Sequence, residues 1–155
     1  MPANDMHESC LAGKGVGTVM PKQSPVASEL DKPFWDACNQ DRLVLQYCGS
    51  CSRFQHPPEG ECLECSSDEE LTWREIGGSG RIYSCAVIHD TPIAVLQAHQ
   101  PYNCAVIDLD DAPGINMMSH LPGTPVDLVP IGAPVSLIFE VTPGNGQKVP
   151  EWRLT

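Results

Sequence analysis

The chain has 155 residues, of which 41% are hydrophobic and 19% charged, and it contains 15 prolines and 13 glycines. This composition is globular, and its many turn-forming residues favour short strands over long helices. The net charge of −11 argues against a nucleic-acid surface. No apolar run approaches the roughly 18 residues of a transmembrane helix.

The first segment, residues 1–24, is rich in Gly, Ser, Lys and Pro and shows no apolar periodicity. This pattern predicts a flexible tail. The segment also lacks the basic start and the long apolar run of a secretory signal. We therefore expect a cytoplasmic protein whose thiols stay reduced.

A short helix is predicted within residues 26–38, where Pro33 suits a first helical turn and Asp31 is a candidate cap before it. Phe34 and Trp35 then contribute to one apolar face. Two large aromatic rings on so short a helix need a surface on which to pack. We predict that they dock on a partner chain, with packing on the chain's own barrel as the alternative.

Two cysteine pairs follow, Cys48 with Cys51 and Cys62 with Cys65, each with the spacing C-x2-C. Two such turns can place four thiolates around one tetrahedral ion, and the natural occupant is Zn²⁺. Because protein fills all four positions, the pattern predicts a structural site. Iron in a rubredoxin-like site, or two disulfides, would use the same residues. Since four cysteines saturate the ion, we expect His56 between the pairs to be a surface or packing residue.

From Leu71 onward the pattern changes to short strands, with a bend predicted at Gly77–Gly80. In the second strand, alternation predicts that Tyr83, Cys85 and Val87 share one face. Five or six short strands with bends fit a five-stranded oligomer-binding (OB) barrel. The predicted strands are Leu71–Ile76, Arg81–His89, Tyr102–Leu109, Ile115–Leu121, Val135–Val141 and Lys148–Leu154.

Six stretches of the chain carry a resemblance to a known family: Pro33–Trp35, Leu43–Cys51, Pro57–Pro58, Gly78–Ser84, Pro101–Leu109 and Ile131–Val135. They resemble the motifs of DUF35-type proteins, a zinc-ribbon and OB-fold family associated with acyl-CoA enzymes. The resemblance covers residues 33–154. It departs from the family at Ser52 and Ser66, because the family often has Gly or Pro within or after its cysteine turns. That departure removes no ligand but bears on the loop geometry.

The resemblance implies a mainly β fold, in which an N-terminal helix and a rubredoxin-like zinc ribbon precede a five-stranded OB-fold barrel. We assign residues 1–24 to the tail, residues 25–69 to helix and ribbon, and residues 70–155 to the barrel. The ribbon itself, residues 43–67, is shorter than the about 40 residues that a hydrophobic core needs to sustain a fold. We therefore expect the metal to supply its folding free energy.

The family resemblance also implies a function, that of a small non-catalytic subunit in a hetero-oligomer that processes acyl-CoA. The larger partner is expected to be thiolase-like and to cleave or form a C–C bond on a CoA thioester, as in aromatic-acid degradation. The alternative is an aldolase or hydratase complex of the steroid side-chain type. A CoA site shared with the partner would draw on the few cations of the barrel region: Arg74, Arg81, Lys148 and Arg153.

Two other functions compete with this interpretation. A single-stranded nucleic-acid binder needs a basic groove with stacking aromatics, whereas this chain is acidic and only 6% aromatic. An independent enzyme would need a thiol such as Cys85 or Cys104, or a base among His89, His99 and His120. Cys85 and Cys104 lie in apolar runs, which favours small buried residues. The cysteines without ligand spacing are Cys10, Cys38, Cys85 and Cys104.

Overall fold

The computed structural model describes residues 22–155, so the predicted tail lies outside the described residues except for its last three. This part of the chain is mostly strand, as predicted. It contains no helix long and apolar enough to span a membrane. The elements are α1 (Lys32–Asn39), β1 (Leu43–Cys48), β2 (Arg53–Gln55), β3 (Leu71–Ile76), β4 (Gly80–Ile88), a 3-10 helix (Ala94–His99), β5 (Tyr102–Leu109), β6 (Asn116–Ser119), β7 (Pro134–Val141) and β8 (Lys148–Leu154).

The first sheet has three antiparallel strands in the order β2-β1-β3. β3 pairs with β1 along its whole length, from Leu43 opposite Ile76 to Cys48 opposite Leu71. The sheet that carries the cysteine pairs therefore includes β3. The domain boundary predicted between residues 69 and 70 separates β3 from the strand with which it pairs, and this boundary stays a prediction.

The second sheet has five antiparallel strands in the order β6-β5-β4-β7-β8. Its two ends meet, because the backbone N–H of Trp152 in β8 donates to Ser119 Oγ in β6 at 2.8 Å. The sheet is thus a nearly closed barrel, which confirms the predicted fold. Strands β3, β5 and β8 coincide with their predicted ranges.

A bulge in β4 corrects the predicted alternation of its side chains. The register with β5 shifts between Ile82 and Ser84, which leaves Tyr83 as the extra residue. Tyr83 is 66% exposed, whereas Ile82 is buried and Cys85 packs against the core. The prediction that Tyr83 shares a face with Cys85 and Val87 was wrong, because an inserted residue reverses the side-chain phase across it.

The predicted bend before β4 depends on glycine. Gly78 has a φ of +74°, and a Cβ there would lie 2.6 Å from Cδ2 of Leu137. The Gly78 carbonyl also accepts a hydrogen bond from Trp152 Nε1 at 2.7 Å. A side chain at this position would clash and would also strain the backbone. The bend therefore sets how β4 enters the barrel.

One apolar core spans both sheets. Leu43 and Leu45 of β1 belong to the same cluster as Ile82, Ile107 and Trp152 of the barrel. Each of these five side chains is at most 1% exposed. The base of the ribbon is consequently anchored by the barrel, while the four cysteines at its far end lie outside that cluster.

Candidate metal centre and its surroundings

The structure brings together the four predicted residues Cys48, Cys51, Cys62 and Cys65. Their Sγ atoms all lie within 4.8 Å of one another. The Sγ atoms of Cys51 and Cys62 are 3.5 Å apart, and those of Cys48 and Cys65 are 3.7 Å apart. The two turns thus face each other across a space bounded by sulfur.

These distances suit a metal ion better than disulfides. A tetrahedron with Zn–S bonds of about 2.3 Å places its sulfurs about 3.8 Å apart, whereas the sulfurs of a disulfide are about 2.05 Å apart. Four thiolates leave no ligand position for water or substrate. The four cysteines are therefore positioned for metal binding, in the arrangement of a structural centre.

Local hydrogen bonds favour ionisation of one thiol in this cluster. The backbone N–H groups of Cys65 and Glu64 hydrogen-bond to Cys62 and lower its pKa to about 7. Desolvation instead raises the pKa of Cys51 to about 12. Because a metal binds the thiolate form, the lowered pKa of Cys62 favours metal binding at this position.

Two buried glutamines hold the loop that carries the second cysteine pair. Gln55 Nε2 donates to Gln46 Oε1 at 2.6 Å and to the Glu61 carbonyl at 3.1 Å. Gln55 Oε1 accepts from the Leu63 N–H at 3.0 Å. Gln46 donates to the Glu59 carbonyl and accepts from the Glu59 N–H, both at 2.9 Å. Side chains of β1 and β2 thereby fix the loop backbone.

Sequence reasoning did not single out these glutamines. The available signal was Gln46 itself, a polar residue that interrupts the apolar run from Leu43 to Tyr47. A polar side chain buried in a strand needs hydrogen-bond partners. Its position beside Cys48 therefore indicates a positioning role for the metal centre.

The residue after each cysteine pair adopts a left-handed backbone conformation. The φ angle is 59° at Ser52 and 58° at Ser66. This conformation costs a residue with a side chain roughly 1–2 kcal/mol, and glycine avoids most of that cost. The departure from the family pattern noted in the sequence thus falls on two strained positions, and both turns keep their geometry with serine.

The aromatic face of α1 packs partly on the ribbon. Phe34 is 3% exposed, and its ring centroid lies 4.8 Å from that of Trp35 and 5.2 Å from that of His56. Burial lowers the pKa of His56, which favours the neutral ring. His56 lies outside the sulfur cluster and is a packing residue, as predicted.

Hydrogen bonds also tie α1 to the start of β8. Gln147 Nε2 donates to the Trp35 carbonyl at 3.0 Å, and the Lys148 N–H donates to Asn39 Oδ1 at 3.0 Å. The Trp35 indole N–H donates to the Asp31 carboxylate at 3.1 Å. Asp31 occupies the predicted cap position but makes no side-chain capping bond. Trp35 keeps part of its surface exposed, and its predicted docking role stays a prediction.

Among the described residues, the candidate nucleophiles are not paired with the candidate bases. Cys85 and Cys104 are half-buried, and burial raises the pKa of Cys104. Within residues 22–155, neither thiol is hydrogen-bonded to His89, His99 or His120. A thiol with a raised pKa and no paired base is a weak nucleophile at neutral pH.

A buried ion cluster lies where β6 meets β8. Lys22 Nζ is 2.8 Å from Glu140 Oε2 and also contacts Glu151, while Ser119 Oγ donates to Glu151 at 2.7 Å. Burial raises the pKa of Glu151, and Lys22 opposes that shift. Burial lowers the pKa of the neighbouring His120. The cluster fastens the segment before α1 to the seam of the barrel, a contact that the sequence did not predict.

The helix, the four-cysteine centre and the nearly closed barrel together define a zinc-ribbon and OB-fold protein. The family described as "ChsH2, rubredoxin-like zinc ribbon domain" matches residues 35–71, and "ChsH2, C-terminal OB-fold domain" matches residues 73–140. The chain therefore belongs to the ChsH2 family of DUF35-type proteins, which confirms the resemblance seen in the sequence.

Two solved structures that are similar to this chain are DUF35 proteins. The structure "Ltp2-ChsH2(DUF35) aldolase" has a TM-score of 0.72 and 28% identity, covering 84% of this chain and 98% of that one. A second structure, a DUF35 protein of unknown function from Sulfolobus solfataricus, has a TM-score of 0.57 and 16% identity. The match covers 82% of this chain and 86% of that chain, and it supports the fold alone.

A "Probable enoyl-CoA hydratase alpha subunit" from Thermomonospora curvata is 36% identical over 108 residues. The match covers 69% of this chain and 32% of that protein. The chain thus spans about a third of the length of this curated relative.

Proposed function

We propose that the chain is a zinc-binding, non-catalytic accessory subunit of an enzyme complex that acts on a CoA thioester. The closed four-sulfur centre within a ChsH2-type fold carries this proposal. A metal with no open ligand position cannot bind or activate substrate. We therefore place the chemistry on another subunit, and the similarity to a probable enoyl-CoA hydratase alpha subunit supports a CoA thioester as the substrate.

The proposed ligands of the single Zn²⁺ ion are Cys48, Cys51, Cys62 and Cys65. Bound zinc would cross-link the end of β1 to the loop before β3, a segment with few apolar side chains of its own. Such a metal supplies folding free energy and no reactive group. Iron suits the same four sulfurs, and elemental analysis of the purified chain distinguishes the two metals.

The larger subunit is proposed to be a thiolase-fold enzyme or an aldolase, with the catalytic residues on its side of a hetero-oligomer. The structural likeness to the Ltp2-ChsH2 aldolase favours C–C cleavage of the aldol type. The likeness to an enoyl-CoA hydratase alpha subunit favours a related hydratase complex. Both relatives thus support the aldolase or hydratase alternative more than a thiolysis complex.

The CoA phosphates are proposed to bind mainly on the larger subunit. Two of the four cations predicted to contribute form a cation–π contact or an ion pair within the chain. Arg74 Cζ lies 3.4 Å from the centroid of the Tyr47 ring, and Lys148 pairs with Asp41 at 2.7 Å. A contribution from this chain to a shared site would therefore come from Arg153 or Arg81 on the barrel.

Purification of the tagged chain with its partner tests the proposal. Mass spectrometry identifies the larger subunit, and the chain, the subunit and the complex are then assayed separately for thiolysis, aldol cleavage and hydration of acyl-CoA thioesters. We expect no turnover by the chain alone and activity when the larger subunit is present. Turnover by the isolated chain would overturn the non-catalytic assignment, and the active assay identifies the class of complex.

The predicted docking role of α1 has its own test. Trp35→Ala is expected to weaken binding of the larger subunit by about 2 kcal/mol or more, as a truncated anchor does, while the melting temperature of the free chain changes little. Phe34→Ala is the control, and it should lower the melting temperature because Phe34 is in the core. A lower melting temperature with unchanged binding in Trp35→Ala would place the docking surface elsewhere.

A further inference from the structure

β5 carries apolar side chains on both of its faces. Its outward residues Tyr102, Cys104 and Val106 are half-buried. In an antiparallel sheet with one face in water, a strand normally alternates apolar residues with polar ones. The outer row of β5 therefore has the composition of a covered surface. The inward residues, which are buried, are Asn103, Ala105, Ile107 and Leu109.

The neighbouring strands extend this row into a continuous surface. Val106 pairs with Ser84 of β4 on one side and with Met118 of β6 on the other. Met118 is 70% exposed, and the bulge turns Tyr83 outward beside Ser84. Directly opposed residues of neighbouring strands contact each other on a shared face. We call this surface the outer face; it comprises Tyr83, Ala86, Tyr102, Cys104, Val106 and Met118.

The outer face has the composition of a protein interface. It carries aromatic rings and a methionine but no charged side chain, as the centre of an interface does. Contiguous apolar surface of this kind on a soluble domain usually marks a binding site. Among the described helices and strands, β4, β5 and β6 make their main contacts with one another and with β7 and β8. The outer face is also separate from Trp35, which lies on α1 beside β8.

Charge decides which occupant suits the outer face. Acidic residues flank its two ends: Asp90 follows β4 at one end, while Asp108 and Asp110 lie at the other, with Arg81 opposite Asp108. A second copy of the chain would bring the same acids and a further net charge of −11 against them. Like charges across an interface are unfavourable, whereas a partner with an apolar centre and a basic rim is complementary.

We propose that the outer face is a docking surface for the larger acyl-CoA-processing subunit, which meets it with an apolar patch rimmed by Lys and Arg. This inference rests on the proposed function and adds a second contact surface to it. The bulge contributes to this surface, because it places the Tyr83 ring outward beside Ser84. With regular alternation, only Ser84 would point outward at this position.

The test compares two substitutions of exposed apolar residues by lysine. Met118→Lys lies on the outer face, and Val95→Lys lies on the 3-10 helix, where Val95 is 57% exposed. With the purified larger subunit, we expect Met118→Lys to raise the Kd at least about tenfold and Val95→Lys to change it less than about twofold. Tyr83→Ala should also raise the Kd. All three variants should keep the metal content and melting temperature of the unaltered chain.

Photo-crosslinking identifies the occupant directly. Benzoylphenylalanine at position 118 should cross-link to the larger subunit in the assembled complex. Cross-links confined to a second copy, or to residues 1–21 of the chain itself, would overturn the proposal and name the actual occupant. Unchanged affinity in both Met118→Lys and Tyr83→Ala would overturn the docking surface alone. If the unaltered chain forms no complex, the proposed function fails together with this inference.

Discussion

The ribbon and the barrel differ in what fixes their atoms. Around the cysteine pairs, the chain is positioned by four thiols and by the hydrogen bonds of Gln46 and Gln55. In the barrel, position follows from apolar side chains such as Ile107 and Trp152, which are fully buried. Directional contacts are few and individually necessary, whereas apolar contacts are many and each contributes part of the free energy.

The change from apolar contacts to directional contacts occurs within β1. Leu43 and Leu45 belong to the apolar core, while Gln46 and Cys48 belong to the polar and metal-binding end of the same strand. The base of the ribbon therefore shares its core with the barrel. We expect the barrel to stabilise this base and the proposed metal to stabilise the tip, so the two ends should respond differently to the same perturbation.

The largest expected effect comes from breaking the tip. Cys62→Ser removes a ligand, and because a structural zinc contributes on the order of 10 kcal/mol, the metal should be lost and the tip should unfold. Hydrogen exchange should increase over residues 46–67, while β5 and β8 stay protected. Cys85→Ser is the control, since that thiol lies outside the cluster. If residues 46–67 stay protected from hydrogen exchange without bound metal, the metal does not stabilise the tip of the ribbon.

Trp152→Ala tests the apolar core of the barrel. Trp152 is fully buried and donates to the Gly78 carbonyl, so its loss should cost about 3–5 kcal/mol in the free energy of unfolding. Urea denaturation gives this value, and elemental analysis should still find the metal in the folded protein. Leu154→Ala, at the exposed end of the same strand, should cost much less. Equal losses in the two variants would show that the core lies elsewhere.

Gln55→Ala tests whether hydrogen bonds position the metal loop. The substitution leaves the Leu63 N–H and the Glu61 carbonyl without their partner, which should cost about 1–3 kcal/mol. Competition with a chelator should show weaker metal binding than in the unaltered chain. Gln97→Ala removes an exposed glutamine outside the ribbon and should leave metal binding unchanged. Equal metal affinities in the two variants would show that Gln55 does not position the metal loop.

The smallest effect should be a gain in stability. Ser52→Gly and Ser66→Gly relieve left-handed backbone strain, and after the entropic cost of glycine each should stabilise the ribbon by about 0.5–1 kcal/mol. Denaturation of the metal-loaded chain measures the change. Ser50→Gly is the matched control, because Ser50 has no positive φ and its hydroxyl contacts Ser67, so this change should destabilise. If all three substitutions destabilise the chain, the serine side chains contribute more stability than the relief of backbone strain provides.

Elements set by local pattern were predictable from the sequence. The spacing of the cysteine pairs identified the four thiols, because a ligand set needs only the right residues on two short turns. The strand Tyr102–Leu109 follows from a nearly all-apolar run, and the strands Leu71–Ile76 and Lys148–Leu154 match segments predicted to be extended. The resemblance to a known family identified the order of ribbon and barrel, which periodicity alone does not give.

The remaining features depend on residues far apart in the chain. The pairing of β3 with β1, the burial of Phe34 and the contact of Lys22 with Glu140 and Glu151 are set by which surfaces meet. The bulge at Tyr83 is invisible to alternation, because its register exists only against β5. The sequence by itself determined the four cysteines of the candidate metal centre and most strands, since those follow from local chemistry. The tertiary structure alone decided what each strand pairs with and which apolar face stays open, since burial depends on the whole chain.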